Sequence, residues 1–157
     1  MKKLLILITA VLLCLGFTSC NTMNIFNKEK TSLSYHTKNL EKALENTTPK
    51  IRILDMNIYS EIVVDEEDIR ILKDLVLSLK DNNFIPKEEL PKKPLFKLFA
   101  NIDKEIYVLD IFGDDLVTLY PWDSDFDKDY ISLKEVPNSF KLEPFCHYVF
   151  EKKQDDK

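Results

Sequence analysis

Hydrophobic residues follow three different patterns along the chain, and each pattern predicts a different kind of element. The first is an almost unbroken apolar run over residues 4–17, which comes directly after Lys2 and Lys3. The second is a series of short segments rich in β-branched residues, which is typical of strands. The third lies within residues 66–81, where apolar residues recur every three or four positions, as on one face of a helix.

The first apolar run predicts an export signal. It is too short to cross a bilayer comfortably as a helix, and its basic start and small-residue end are typical of a secretory signal. Because the cut site ends in Cys20, the segment resembles a bacterial lipoprotein signal, in which lipid is attached to the cysteine thiol. The resemblance implies cleavage before Cys20 and an anchor on the outer face of the cell membrane. An ordinary cleaved signal peptide with an incidental cysteine, or an uncleaved signal anchor, is the alternative.

The chain is predicted to have three parts. Residues 1–19 are the signal peptide, and residues 20–34 form a lipidated tether, because they are polar and lack a hydrophobic period. Residues 35–157 form a single domain, since about 120 residues suffice for one hydrophobic core.

Six segments are predicted to be strands, and the short turns between some of them determine the relative direction of the strands they join. Turns at 103–105 and 113–115 are so short that the strands they join must be antiparallel neighbours. Residues 56–60 are either a turn between the first two strands or the bend of one long strand. The predicted strands are 51–55, 61–65, 95–102, 106–112, 116–120 and 130–133.

Three segments are predicted to be helical. A short helix over 38–45 opens the domain, and the amphipathic helix over 66–81 begins after Asp65, whose side chain suits an N-cap. Residues 144–152 fit either a helix or a strand, and we favour a helix because Pro144 suits a first helical position. The fold class is therefore α+β: an antiparallel meander of about four to six strands with the 66–81 helix packed on one face.

Composition and charge exclude several classes of protein. The whole chain has 22 basic and 27 acidic residues, and the signal removes two lysines, so that the mature chain carries a net charge of −7. This balance disfavours nucleic acid binding, which depends on clustered lysine and arginine. After loss of the signal the only glycine is Gly113. Phosphate-binding loops, dinucleotide-binding turns and nucleophile elbows all need more glycines than this.

Cysteine and histidine chemistry is also sparse. The mature chain has Cys20 and Cys146, and acylation of Cys20 leaves Cys146 without a partner for an internal disulfide. Cys146 and His147 are adjacent and would point about 100° apart on a helix, so a buried cysteine beside a surface histidine is favoured over a catalytic pair. We predict that the protein is not an enzyme and has no resident cofactor. A hydrolase that uses paired carboxylates is retained as a less favoured alternative.

Four aspartates alternate along one loop and suggest a candidate metal site. Alternate acids resemble the start of a calcium-binding EF-hand loop, because calcium takes several converging oxygen ligands. Lys128 stands where that motif needs glycine, however, and Lys134 stands where it needs glutamate. The alternative is a solvated acidic turn. The four candidate ligands are Asp123, Asp125, Asp127 and Asp129.

Tyr120 and Trp122 precede this acidic loop and form a candidate partner-binding pair. Exposed aromatic residues stack on sugars or anchor protein partners. A lone tryptophan at the end of a strand more often completes the core.

The chain resembles the small lipoproteins of unknown function found in low-GC Gram-positive bacteria. The resemblance is carried by the Cys20 signal, by the helix predicted to be capped by Asp65, and by the run from Tyr120–Asp123 to Asp129–Ile131. It implies an extracytoplasmic location and no established activity.

The resulting prediction is a lipid-anchored, non-enzymatic binding or interaction module. Its expected partners are the membrane, through lipid on Cys20, and an envelope protein or small ligand. A calcium-binding or calcium-stabilised envelope domain that uses the 123–129 loop is the alternative function.

Overall fold

The fold is a single antiparallel sheet with three helices. The computed structural model describes residues 30–91 and 93–155; the predicted signal peptide, Cys20 and most of the predicted tether lie outside these ranges. No helix in the described ranges is both long enough and apolar enough to cross a membrane. The helices are α1 (Tyr35–Asn46), α2 (Arg70–Ser78) and α3 (Leu142–Asp155). The strands are β1 (Lys50–Asp55), β2 (Ser60–Val63), β3 (Phe84–Ile85), β4 (Phe96–Ile102), β5 (Glu105–Ile111), β6 (Leu116–Pro121) and β7 (Asp129–Ser132).

The sheet confirms the predicted α+β class and has one strand more than predicted. Its order is β2-β1-β4-β5-β6-β7-β3, and every neighbouring pair is antiparallel. Strand β3 was not predicted, because two residues are too few to show an alternating pattern. Its strand character comes only from pairing with β7, where Phe84 lies opposite Ile131.

Tight turns produce the hairpins, as the sequence predicted. Asp103, between β4 and β5, has a φ of 53°, and Gly113, between β5 and β6, has a φ of 125°. The left-handed region suits glycine and, less often, aspartate. Tyr59 has a φ of 52° in the turn between β1 and β2. Residues 56–59 are therefore a turn rather than a bend in one long strand.

Alternation along the strands gives the sheet two different faces. One face, which we call the helix face, packs against the buried residues of all three helices in a single apolar core. The other, which we call the Asp110 face, carries polar and aromatic side chains. Across β1, β4, β5 and β6 the helix face presents Ile53, Leu98, Leu109 and Leu119. The Asp110 face presents, in the next row, Leu54, Lys97, Asp110 and Thr118.

Two helices extend beyond their predicted bounds and one falls short. Helix α3 confirms the helical interpretation of residues 144–152, and α1 begins three residues before the prediction. Helix α2 covers only the middle of the predicted 66–81 segment, since residues 66–69 form turns and Leu79 is extended. Its buried residues Leu72, Leu75 and Val76 are those that the periodicity placed on the core face.

The predicted N-cap role of Asp65 is wrong. The residue that precedes α2 is Ile69, whose side chain makes no capping hydrogen bond. Asp65 instead pairs with Lys153 at 2.7 Å and with Lys152 at 3.5 Å, both on α3. These ion pairs lower the pKa of the Asp65 carboxyl, chiefly through the hydrogen bond from Lys153.

Candidate functional site

All of the predicted site residues in the described ranges lie on or next to the segment that leaves β6. The backbone N–H of Trp122 donates to the carbonyl of Ile106 at 2.8 Å, which fixes the start of the loop beside β5. Asp123, Asp125 and Asp127 are exposed, and Asp129 begins β7 with its side chain on the helix face. The predicted lipidation residue, Cys20, lies outside the described ranges.

Asp129 is the most deeply placed of the four aspartates, with no exposed surface. Its Oδ2 accepts hydrogen bonds from the backbone N–H of Thr37 at 2.7 Å and from the Thr37 hydroxyl at 2.9 Å. Thr37 lies in the first turn of α1, where backbone N–H groups have no partner within the helix. The residue before α1, Ser34, makes no side-chain cap. A carboxylate from the sheet therefore caps this helix.

Lys30 binds the same carboxylate from the N-terminal side. Its Nζ lies 3.1 Å from Asp129 Oδ1 and also donates to the carbonyl of Lys128, and its side chain is only 13% exposed. Ser34 is buried as well. The chain from Lys30 onward thus contacts the domain, whereas the sequence analysis assigned residues up to 34 to the tether.

The four aspartates do not converge on one point. Asp127 pairs with Lys87 at 3.1 Å, and Asp129 is occupied by Lys30 and Thr37. Over residues 30–91 and 93–155, the only group of three or more ligand-type side chains close enough to hold a metal ion is Asp65, Glu67 and Asp68. Lys152 contacts all three of these acids. Calcium binding by the 123–129 loop therefore stays a prediction.

His36 connects α1 to the loop. Its Nε2 lies 2.9 Å from the carbonyl of Asp127, and the side chain is 1% exposed. Burial lowers the pKa of this imidazole, and the charge of Asp129 and the hydrogen bond to Asp127 oppose that effect. The other ring nitrogen, Nδ1, is buried and has no hydrogen-bond partner among the described residues. No role was predicted for His36, because nothing in its local pattern indicates a contact 91 residues away.

A cavity of about 590 Å³ opens between α1, this loop and the turn that joins β4 to β5. Aromatic rings form one corner, where the centroids of Tyr35 and Phe126 are 5.1 Å apart. Two of the predicted aspartates, Asp123 and Asp125, lie on its wall. The lining residues are Tyr35, His36, Asn39, Lys42, Ala43, Lys104, Glu105, Tyr107, Pro121, Asp123, Ser124, Asp125 and Phe126.

Trp122 lies on the Asp110 face and is 64% exposed. Its ring centroid is 6.0 Å from that of Phe99 on β4. The guanidinium of Arg52 lies 5.2 Å from the centre of the Phe99 ring. The expectation that a lone tryptophan completes the core is therefore wrong here. Strand β6 ends at Pro121, and an acidic turn follows Trp122. The indole therefore remains at the surface, in contact with Phe99.

Tyr120 belongs to a buried polar cluster in the middle of the same face. Asp110, 2% exposed, pairs with Lys97 and with Lys128, the latter at 2.7 Å. Lys128 also lies 4.1 Å from the centre of the Tyr120 ring. Burial acts to raise the pKa of Asp110, but the two lysines outweigh it and hold that pKa below its ordinary value of 3.8. The alternation of β5 placed this carboxylate inside a strand but gave no sign of its partners.

Cys146 and His147 are separated as the sequence indicated. Cys146 is fully buried in the core, and burial raises the pKa of its thiol. His147 is exposed on α3, where its Nε2 lies 3.8 Å from Glu143 and its ring packs edge-on against Phe96.

Comparison with known proteins supplies a family and one close structure. A family described as a domain of unknown function, DUF4883, matches residues 30–146. A crystal structure named "Putative Lipoprotein from Clostridium perfringens" is 66% identical to this chain, with a TM-score of 0.73. The alignment covers 78% of this chain and 98% of that one. None of the curated proteins matches.

Proposed function

This chain belongs to the DUF4883 family, and from that premise we propose that it is a lipid-anchored interaction module on the outer face of the cell membrane. The name of the Clostridium perfringens relative supports the anchor. The fourteen-residue, almost wholly apolar run that ends shortly before Cys20 supports it independently. The domain would bind an envelope protein through the Asp110 face.

Anchoring is tested by replacing the one residue that would carry the lipid. We expect Cys20→Ser to abolish incorporation of an alkyne-labelled fatty acid. Cys14→Ser is the matched control, because residue 14 lies within the apolar run and would be removed with the signal. Lipid labelling that persists in Cys20→Ser would refute the assignment.

The exposure of Trp122 is the observation that carries the proposal of a binding face. An indole that is 64% exposed leaves apolar area in water that a partner would cover. Trp122 contacts Phe99, which is itself covered by Arg52. This contact restricts the motion of the indole, so that less side-chain entropy is lost on binding. Val63, 61% exposed, extends the same row of side chains through its pairing with Arg52.

The charges on this face indicate the chemistry of the partner. The mature chain is strongly acidic, yet this face carries four basic side chains and two acidic ones. Tryptophan, tyrosine and arginine are also the residues that most often dominate protein–protein interfaces. We therefore propose a protein partner with an acidic surface. The charged residues of the face are Lys50, Arg52, Lys97, Lys128, Glu61 and Asp110.

We also propose that the module is not an enzyme. Support comes from Cys146, which is buried in the core away from solvent, and from His147, which packs on Phe96. The carboxylate with the most distinctive surroundings, Asp110, is paired with two lysines, and its pKa is lowered. A general acid needs the opposite shift.

Site-specific photocrosslinking tests the binding face. We expect p-benzoylphenylalanine in place of Val63 to crosslink one envelope protein in living cells. Adding Trp122→Ala should reduce that product about tenfold, because buried aromatic anchors dominate interface energies. Raising the salt concentration should weaken it further, since charge complementarity is screened.

The control substitution is Tyr148→Ala, which removes an aromatic residue of similar exposure from helix α3. It should leave the Val63 product unchanged. An undiminished product in Trp122→Ala, or equal losses in both variants, would refute a role for Trp122 in binding.

A further inference from the structure

The cavity beside α1 lies on a different surface from Trp122 and has the features of a separate small-ligand site. Its volume of about 590 Å³ falls within the range of about 300 to 1,000 Å³ that is usual for such sites. It is bounded by three separate parts of the chain: α1, the β4–β5 turn and the loop after β6.

Polar side chains on the cavity wall are available to a ligand. Within the described ranges, the side chains of five lining residues make no hydrogen bond or ion pair with another residue. A buried imidazole nitrogen, Nδ1 of His36, is likewise without a partner. The imidazole nitrogen is the buried group that a ligand would satisfy, and at the side chains, which are mostly solvent-exposed, a ligand would replace water. The five residues are Asn39, Lys42, Lys104, Asp123 and Asp125.

The aromatic corner supplies the apolar part of the site. The rings of Tyr35 and Phe126 are inclined at 46°, and Phe126 also lies 6.2 Å from His36. His36 holds the loop by its contact with the carbonyl of Asp127, so that Phe126 is fixed relative to α1. The corner therefore offers fixed ring surfaces beside the polar wall.

The mixture of charges restricts the class of ligand. Three carboxylates and two ammonium groups line the cavity, so that an anion such as phosphate would meet more repulsion than attraction. A wholly apolar ligand would displace water from these groups without replacing its hydrogen bonds. A neutral polyhydroxyl ligand is not repelled by the carboxylates and replaces the hydrogen bonds of the displaced water. Its hydroxyls donate to carboxylates and accept from ammonium and amide groups. The C–H surface of a sugar ring would lie on Tyr35 and Phe126.

We propose that this cavity binds a neutral saccharide. The proposal agrees with an extracytoplasmic location, where saccharides are abundant, but it does not depend on the protein partner of the Asp110 face. Asp123 and Asp125, which the sequence analysis considered as calcium ligands, would instead accept hydrogen bonds from sugar hydroxyls.

Calorimetry with defined oligosaccharides tests the proposal. The protein is the full mature chain with Cys20→Ser, which keeps it in solution, and the probes are chitotetraose, cellotetraose and maltotetraose at millimolar concentrations. We expect saturable binding of at least one probe. Phe126→Leu, which removes the ring but retains apolar volume, should weaken it about tenfold.

A second variant and a control separate loss of binding from loss of folding. Asp125→Ala removes an exposed carboxylate and should also weaken binding, with an unchanged melting temperature. Asp114→Asn changes an exposed acid on the β5–β6 turn, outside the cavity, and should bind as the parent does.

Three results would overturn the proposal. They are the absence of binding by all three probes, binding that neither Phe126→Leu nor Asp125→Ala weakens, and binding of a charged dipeptide in place of the sugars. Because no protein partner is present in this experiment, none of these results bears on the crosslinking from Val63.

Discussion

We expect Asp129→Ala to lower the free energy of unfolding by about 3 to 5 kcal/mol, the range found when one partner of a buried ion pair is removed. The substitution leaves the Lys30 ammonium, 13% exposed, without its carboxylate. It also removes the acceptor for the backbone N–H and hydroxyl of Thr37. Urea unfolding of the mature chain, followed by circular dichroism, measures the change.

The matched control for this prediction is Asp125→Ala, in the same loop and four residues away. Asp125 is exposed and makes no ion pair with another described residue, so we expect a change within about 0.5 kcal/mol. Equal effects of the two substitutions would show that the cap on α1 contributes little to stability. A decrease in the free energy of unfolding that occurs only in Asp129→Ala would show that Asp129 stabilises the fold.

The second large effect is expected at Asp110. Asp110→Asn keeps the shape of the side chain but removes the charge between Lys97 and Lys128. Hydrogen bonds to charged groups contribute about 1.5 to 3 kcal/mol each, and the two lysine side chains are 23% and 31% exposed. We expect a loss of about 2 to 4 kcal/mol at neutral pH.

The effect of Asp110 should depend on pH in a defined direction. Its pKa is lower in the folded protein than the ordinary value of 3.8. The folded state therefore holds the proton less tightly than the unfolded state. The stabilisation is complete above the unfolded-state pKa and is lost as the pH falls through the folded-state pKa.

Unfolding free energies measured from about pH 6 to about pH 3 should show this loss. The difference between the parent and Asp110→Asn should be constant near neutral pH and should shrink below about pH 4, where the unfolded carboxyl takes up its proton. A difference that is independent of pH across this range would contradict the ion-pair interpretation.

The sequence predicted most of the sheet because its signals are local. Turns of two to four residues between apolar segments force the strands on either side to pair, and the β4–β5 and β5–β6 hairpins follow from this rule. Helix α2 was recognised from its period, although its ends were placed too far out. Residues 66–69 form turns instead of a first helical turn, and there Asp65 and Asp68 pair with Lys152 and Lys153, more than 80 residues later, which no local pattern indicates.

The site was only partly predictable for the same reason. Alternating aspartates marked the loop after β6, but the pattern did not distinguish Asp129, which is buried, from Asp123 and Asp125, which are exposed. That difference depends on the pairing of β6 with β7 and on the position of α1. Likewise, nothing near Trp122 in the sequence indicated that Phe99 and Arg52 would support it at the surface.

The contact of Lys30 with Asp129 has a mechanical consequence. In a protein held by a lipid on Cys20, as we propose, tension on the chain before residue 30 would, among the described residues, first load this ion pair. From there it would divide between the start of α1 and strand β7, which is held on both sides by β6 and β3. Lys30 and Asp129 would therefore share this load between the first turn of α1 and the sheet, so that neither element would bear it alone.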